Sequence, residues 1–174
     1  MKVKKLTVMA LLCAIALTIF MIEAQIPPVV PIPGVPIPGV KLGLSNIVTV
    51  FAVFVLGPLE AAVILFGRIF LGAVFAGNFS SILYSASGGL LAILVTIGLR
   101  QLLNNRQLWV AGCLGAIAHS VGQMIAAVLV IGTISIAVYL PIMIVCSIIT
   151  GIFTGLCAQM LVNRGNKLWK TYFK

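Results

Sequence analysis

Four ionisable side chains interrupt or border the apolar stretches of this 174-residue chain: Arg68, His119, Glu23 and Glu60. Arg68 lies ten residues past Pro58, about 15 Å along a helix, which is near the middle of a bilayer span beginning there. A charge at that depth costs a few kcal/mol even on insertion scales, so it marks either a binding function or a structural ion pair. Its planar fork suits a carboxylate, a phosphate or another polar ligand edge through paired hydrogen bonds. Glu60 is eight residues away on the same stretch, about 12 Å along the axis, which is too far for direct pairing. Glu23, near the end of the first apolar run, is the carboxylate that a long arginine could reach.

Other polar residues fall toward one half of the expected spans. Ser45 and Asn46 open the second, Asn78 stands between the third and fourth, and Tyr84, Ser85 and Ser87 come early in the fourth. His119, Ser120 and Gln123 lie in the fifth. His119 and Gln123 are four apart and so share a helix face. Each alone reads as an interhelical hydrogen bond. Together with Arg68 they outline a candidate substrate pocket open to one side: Arg68, Asn46, Asn78, Tyr84, His119 and Gln123.

Much chemistry is excluded. The chain has no Asp, a single histidine and no phosphate-binding Gly-x-x-x-x-Gly-Lys-Ser/Thr loop, so neither ATP hydrolysis nor a hydrolytic metal site is expected. Cys13, Cys113, Cys146 and Cys157 are far apart and sit in apolar runs, which reads as small packing groups rather than a metal or redox motif. No cofactor is expected, and the chain is not expected to be an enzyme.

The elements that must position these residues are membrane spans. The chain is 62% hydrophobic and 7% charged, with a mean hydropathy of +1.28, where soluble domains carry about a quarter charged residues. A bilayer core of roughly 30 Å takes about 20 helical residues. The fold class expected is an all-α membrane protein with six transmembrane helices, a single domain over residues 1–174. The spans run approximately over 6–24, 42–56, 58–76, 79–103, 108–131 and 136–162. The second is short, so it is tilted, buried among the others or extended through the Gly43 region. Residues 26–41 include Pro31-Ile-Pro-Gly-Val-Pro-Ile-Pro-Gly-Val40, a five-residue unit written twice. Proline at that frequency forbids a helix, and backbone without a helix cannot face lipid, so this segment is an exposed loop or a plug within the protein. The basic start and first apolar run also fit a secretory signal peptide; Glu23 near the cleavage window and Pro27-Pro28 beyond it fit that alternative poorly.

The formal charge of +9 reports topology here rather than nucleic acid. Lys2, Lys4 and Lys5 precede the first span, Arg100 and Arg106 flank the fourth connection, and Arg164, Lys167, Lys170 and Lys174 follow the last. With six spans these segments share one side, which places both termini in the cytoplasm. Trp109, Trp169 and Tyr172 fall near the same interface. Ala10 and Ala14, extended by Ala16 and Thr18, and Gly151 with Gly155 form small-xxx-small pairs that let helices approach closely, with internal packing as the simplest use.

Three stretches carry a family resemblance. Pro38-Gly-Val-Lys-Leu-Gly-Leu-Ser-Asn-Ile-Val48 and Leu56-Gly-Pro-Leu-Glu-Ala-Ala62 resemble the second and third helices of substrate-binding S components of energy-coupling factor (ECF) transporters. Lys4-Lys-Leu with Ala10-Leu-Leu-Cys-Ala14 is similar to their first helix. The whole chain resembles the Gx transporter group, whose members are often labelled heptaprenyl diphosphate synthase component I. The resemblance implies a six-helix S component in a bacterial plasma membrane. Such a subunit captures a vitamin, a cofactor precursor or another small molecule outside the cell. Its implied partners are a coupling subunit, docking on Ala10 and Ala14, and two ATPase subunits. The proline segment maps to an outer loop that acts as a lid. Metal-carrying relatives use an N-terminal histidine stretch that Met1-Lys-Val-Lys4 does not match. Prenyl elongation needs Asp-rich motifs holding Mg²⁺, which a chain without Asp lacks. The synthase alternative is therefore a non-catalytic membrane subunit of an isoprenoid or quinone pathway complex. A purely structural membrane subunit is the third reading.

Overall fold

A computed structural model of the chain describes residues 2–26, 43–77, 80–104 and 107–173. The elements are α1 (Lys2–Gln25), α2 (Asn46–Val55), α3 (Pro58–Ala76), α4 (Ser80–Leu102), α5 (Leu108–Ile131), a 3-10 turn over Ile134–Tyr139 and α6 (Leu140–Phe173). The described residues form an all-helical membrane-type bundle. Five of the helices contain stretches long and apolar enough to cross a bilayer. The sixth expected span differs: α2 has 10 residues, about 15 Å of helix, half of what a crossing needs. The last helix begins later and extends further than the pattern of 136–162 indicates, because Ile134–Tyr139 winds into the 3-10 turn before α6. The proline segment and Asn78 lie outside the described residues.

The outer surface is apolar. Leu59, Val63, Phe66 and Phe70 on α3, and Ile149, Phe153 and Met160 on α6, are exposed. Asn46, Arg68, His119 and Gln123 are buried. A polar interior beneath an apolar exterior is what lipid as solvent selects.

Helix α1 lies along α3 in the same direction. Lys5 pairs with Glu60 at one end, Cys13 lies against the Ile64 carbonyl, and the Phe20 ring faces Arg68 and would collide with a side chain at Gly72. Lys5 and Glu60 are joined at this end by Arg100 of α4, which acts electrostatically on Glu60. Leu99 near the end of α4 and Leu103 just past it, Leu108 and Ala111 from the start of α5, and Ala158 and Val162 from the second half of α6 share one apolar cluster. The amino-terminal end of the bundle therefore also holds the far part of α6.

Gly57 and Pro58 make the corner between α2 and α3. Gly57 has φ of 129°, open to glycine, and Pro58 occupies the first helical position, where its missing N–H costs nothing. Helices α5 and α6 touch at backbone level. A Cβ at Gly112 would lie 2.5 Å from the Gly151 carbonyl and from the Gly155 Cα, and one at Gly155 would lie 2.6 Å from the Trp109 Cα. The Gly151/Gly155 pair thus packs internally. Ala10 and Ala14 do not: both are exposed on α1, while Ala16 on the opposite face is 2% exposed.

The short helix is the hub. Seven of its residues are buried, Val48, Ala52 and Val53 against α1, α3 and α4, Val50 and Phe51 against α5 and α6. It packs on all five long helices, so its apolar side chains tie the α1–α3 layer to the α4–α5–α6 layer.

Candidate functional site

The first turn of α2 meets the midpoints of α3 and α5. Arg68, 3% exposed, donates from Nη1 to Ser45 Oγ at 2.9 Å. The Phe20 ring centroid is 5.4 Å from its guanidinium carbon, within range for a cation–π contact. Glu23 acts electrostatically on Arg68 and accepts a hydrogen bond from the Gly43 amide at 2.6 Å. Glu23, not Glu60, is therefore the carboxylate associated with Arg68.

His119 occupies the space between the start of α2 and the middle of α4. A Cβ at Gly43 would fall 2.8 Å from Asn46 Nδ2 and 3.2 Å from His119 Cδ2. One at Gly88 would fall 2.9 Å from the His119 ring and from Gln123 Cγ. Gly43 also has φ of +78°, so glycine is favoured there by conformation and by space. His119 lies within the electrostatic reach of Arg68 and beside the Gly88 main chain, without an aligned hydrogen bond at Nδ1.

Several polar atoms in this cluster have no partner among the described residues: Arg68 Nη2, both amide atoms of Asn46 and His119 Nδ1. Asn46 and His119 are each 3% exposed. Buried polar groups are nearly always bonded, and leaving one unmade costs about 1–3 kcal/mol. These orphans gather at one place, on three helices.

Of the residues expected to line a pocket, the structure brings together Arg68, Asn46, His119 and Gln123. Tyr84 is buried with Ala126 and Ala127 instead, one turn further along α5. Ser120 is drawn away to α6, 2.5 Å from Ser147 Oγ, and Ser87 Oγ bonds back to Leu83 and Tyr84 carbonyls of its own helix. Sequence reading missed Phe20, Gly43 and Gly88. Phe20 looks like one more apolar residue, and the two glycines act through the space they leave. An open groove between α1 and α3, lined by Leu17, Thr18, Met21, Ile22, Gln25 and Phe75, lies on the outer surface away from these orphans.

Residues 12–161 match the family described as heptaprenyl diphosphate synthase component I. The chain belongs to that family. No curated protein and no solved structure gives a significant match. The buried polar cluster falls wholly inside the matched region. Of the exposed small pair, Ala14 falls inside it and Ala10 just before it.

Proposed function

We propose that this protein is the substrate-binding S subunit of an ECF-type importer in the bacterial plasma membrane. It takes up a vitamin, cofactor precursor or other small molecule and is itself not an enzyme. A separate coupling subunit and two ATPase subunits supply the energy. The observation that carries this reading is the set of unpartnered polar atoms on Asn46, Arg68 and His119, enclosed at mid-depth by α2, α3 and α5. A subunit that served only as scaffold has no use for orphaned donors that cost free energy. The exposure of Ala10 and Ala14 supports the partner assignment: the pair is free to meet another protein's helix, because it is not spent on internal contacts. The gathering of Lys5 and Arg100 at one end supports a cytoplasmic position for that end.

The test is native mass spectrometry of the gently solubilised protein, followed by denaturing extraction of small molecules. A bound metabolite together with coupling and ATPase subunits is the expected result. A bound isoprenoid with a soluble, Asp-rich prenyltransferase would replace transport with the synthase-associated reading.

A further inference from the structure

Charge and hydrogen-bonding pattern together restrict what the buried cluster accepts. Among the described residues, the site contains one cation, Arg68, and one carboxylate, Glu23. Glu23, 4% exposed, takes the Gly43 amide hydrogen and faces Arg68 electrostatically. A low-dielectric interior penalises any charge that is left uncompensated. A ligand with net charge would add to the two opposite charges already enclosed among the described residues. The guanidinium carbon lies 5.4 Å from the Phe20 ring centroid, so one neighbour of Arg68 is an aromatic ring that accepts no hydrogen bond in its plane.

The open valences have a definite pattern. Arg68 spends Nη1 on Ser45 and keeps the Nη2 donor. Asn46, the next residue after Ser45, offers both a donor (Nδ2) and an acceptor (Oδ1), each buried and without a partner among the described residues. A primary amide is completed in one step by another group carrying an adjacent carbonyl and N–H on the same edge, through two antiparallel hydrogen bonds. The carbonyl of such a group has a second lone pair for the Arg68 donor. A carboxylate or a phosphate has acceptors only, so it would leave Asn46 Oδ1 buried and unmet.

We propose that the site binds an uncharged ligand through a lactam or cis-amide edge, with Asn46 reading its carbonyl and N–H and Arg68 holding the same carbonyl. This deepens the importer reading and rests on it only in that a small molecule is bound.

The experiment uses the full chain in lipid nanodiscs and three probes of matched size: 2-quinolone, its N-methyl derivative and 2-naphthoate. Binding is followed by saturation-transfer NMR and by thermal shift. The expected order is 2-quinolone above both others by at least tenfold. Asn46→Leu should lose that preference. Asn46→Asp, which removes the donor and keeps the shape, should shift preference from 2-quinolone to 2-aminoquinoline, whose edge carries donors when protonated; a residue needed only for packing would not redirect selectivity. Tighter binding of 2-naphthoate, abolished by Arg68→Gln, would overturn the neutral-edge proposal and leave the substrate-binding reading standing. Equal binding of 2-quinolone and its N-methyl derivative would also overturn it. Failure of every probe to bind the well-folded protein would reject the proposal, and the mass-spectrometric search for a bound metabolite would separately decide the importer reading.

Discussion

Arg68, ten residues into α3, donates a 2.9 Å hydrogen bond to Ser45 at the start of α2. The two helices join at Gly57–Pro58 and run back along each other, so this bond fixes the free end of the short helix at mid-depth. Every polar group at the site follows from that placement. Asn46 is carried to His119, and Gly43 is brought to Glu23.

Arg68→Ala is expected to do more than weaken ligand binding. It removes the charged donor to Ser45 Oγ and the cation that acts electrostatically on Glu23, and losing a buried hydrogen bond to a charged group costs about 1.5–3 kcal/mol. Thermal denaturation in detergent should show a large fall in the midpoint. Combining Arg68→Met with Glu23→Gln should recover much of it while ligand affinity stays lost. If the single variant keeps wild-type stability, the electrostatic coupling to Glu23 has no energetic weight.

Gly43→Ala is expected to destabilise by about 1–2 kcal/mol from the left-handed backbone alone, with a further effect from the collision with Asn46 Nδ2 at 2.8 Å. Its ligand affinity should fall together with its stability. Normal affinity at reduced stability would place Asn46 outside the binding contacts.

The glycines of α5 and α6 separate two kinds of tolerance. Gly112→Ala or Gly155→Ala drives a methyl into facing backbone at 2.5–2.6 Å, and overpacking of this kind costs about 1–3 kcal/mol or more. Gly98→Ala meets nothing within 4 Å and should be neutral or stabilising by up to about 1 kcal/mol through helix propensity. Melting temperatures of the three variants measure the contrast. A destabilised Gly98→Ala would show that this face of α4 is not open.

Ala10→Trp and Ala14→Trp should leave melting and probe binding unchanged, since both positions are exposed. They should abolish uptake reconstituted with coupling and ATPase subunits. Uptake at the normal rate would remove this face from the docking surface.

Thr133→Cys tests sidedness. Thr133 is exposed between α5 and the 3-10 turn, at the end opposite Lys5 and Arg100, and should react with an impermeant thiol reagent from outside intact cells. Labelling only after lysis would invert the orientation.

How much of this was legible in the chain depends on the residue. Helix type and most boundaries follow from apolar run lengths broken at Gly57-Pro58, Gly77 and Gly132, because proline and left-handed glycine end helices by local sterics. The enclosure of Arg68 was legible because a charge within an apolar run must be held away from lipid, whereas its hydrogen bond to Ser45, with Glu23 acting on it only electrostatically, was not. The 10-residue length of α2 was not. The apolar pattern extends from Leu42 to Leu56, but the helix starts only at Asn46, after the left-handed Gly43 and the turn at Leu44 and Ser45. Tyr84 and Ser120 share polarity with the cluster but not direction, and direction depends on helix rotation set by α6 through Ser147. Internal and external uses of Ala10/Ala14 and Gly151/Gly155 look identical as spacings. Only the packed helices distinguish them.

The half-length of α2 also governs how the protein is made. A stretch of 10 residues is too short to partition into a bilayer as an independent span. Its first-turn amides lie at the membrane middle and are satisfied by the turn before the helix, where Asn46, Ile47 and Val48 donate to the Gly43, Leu44 and Ser45 carbonyls; non-helical backbone of that kind is tolerated at this depth only when protein encloses it. Helix α2 therefore enters the membrane as a passenger, joined to α3 through Gly57–Pro58, and stays only once its neighbours close around it. Substitutions in α2 that spoil this fit will surface during biosynthesis, as chains degraded or inserted with α2 left outside, rather than as a mature protein with a local defect.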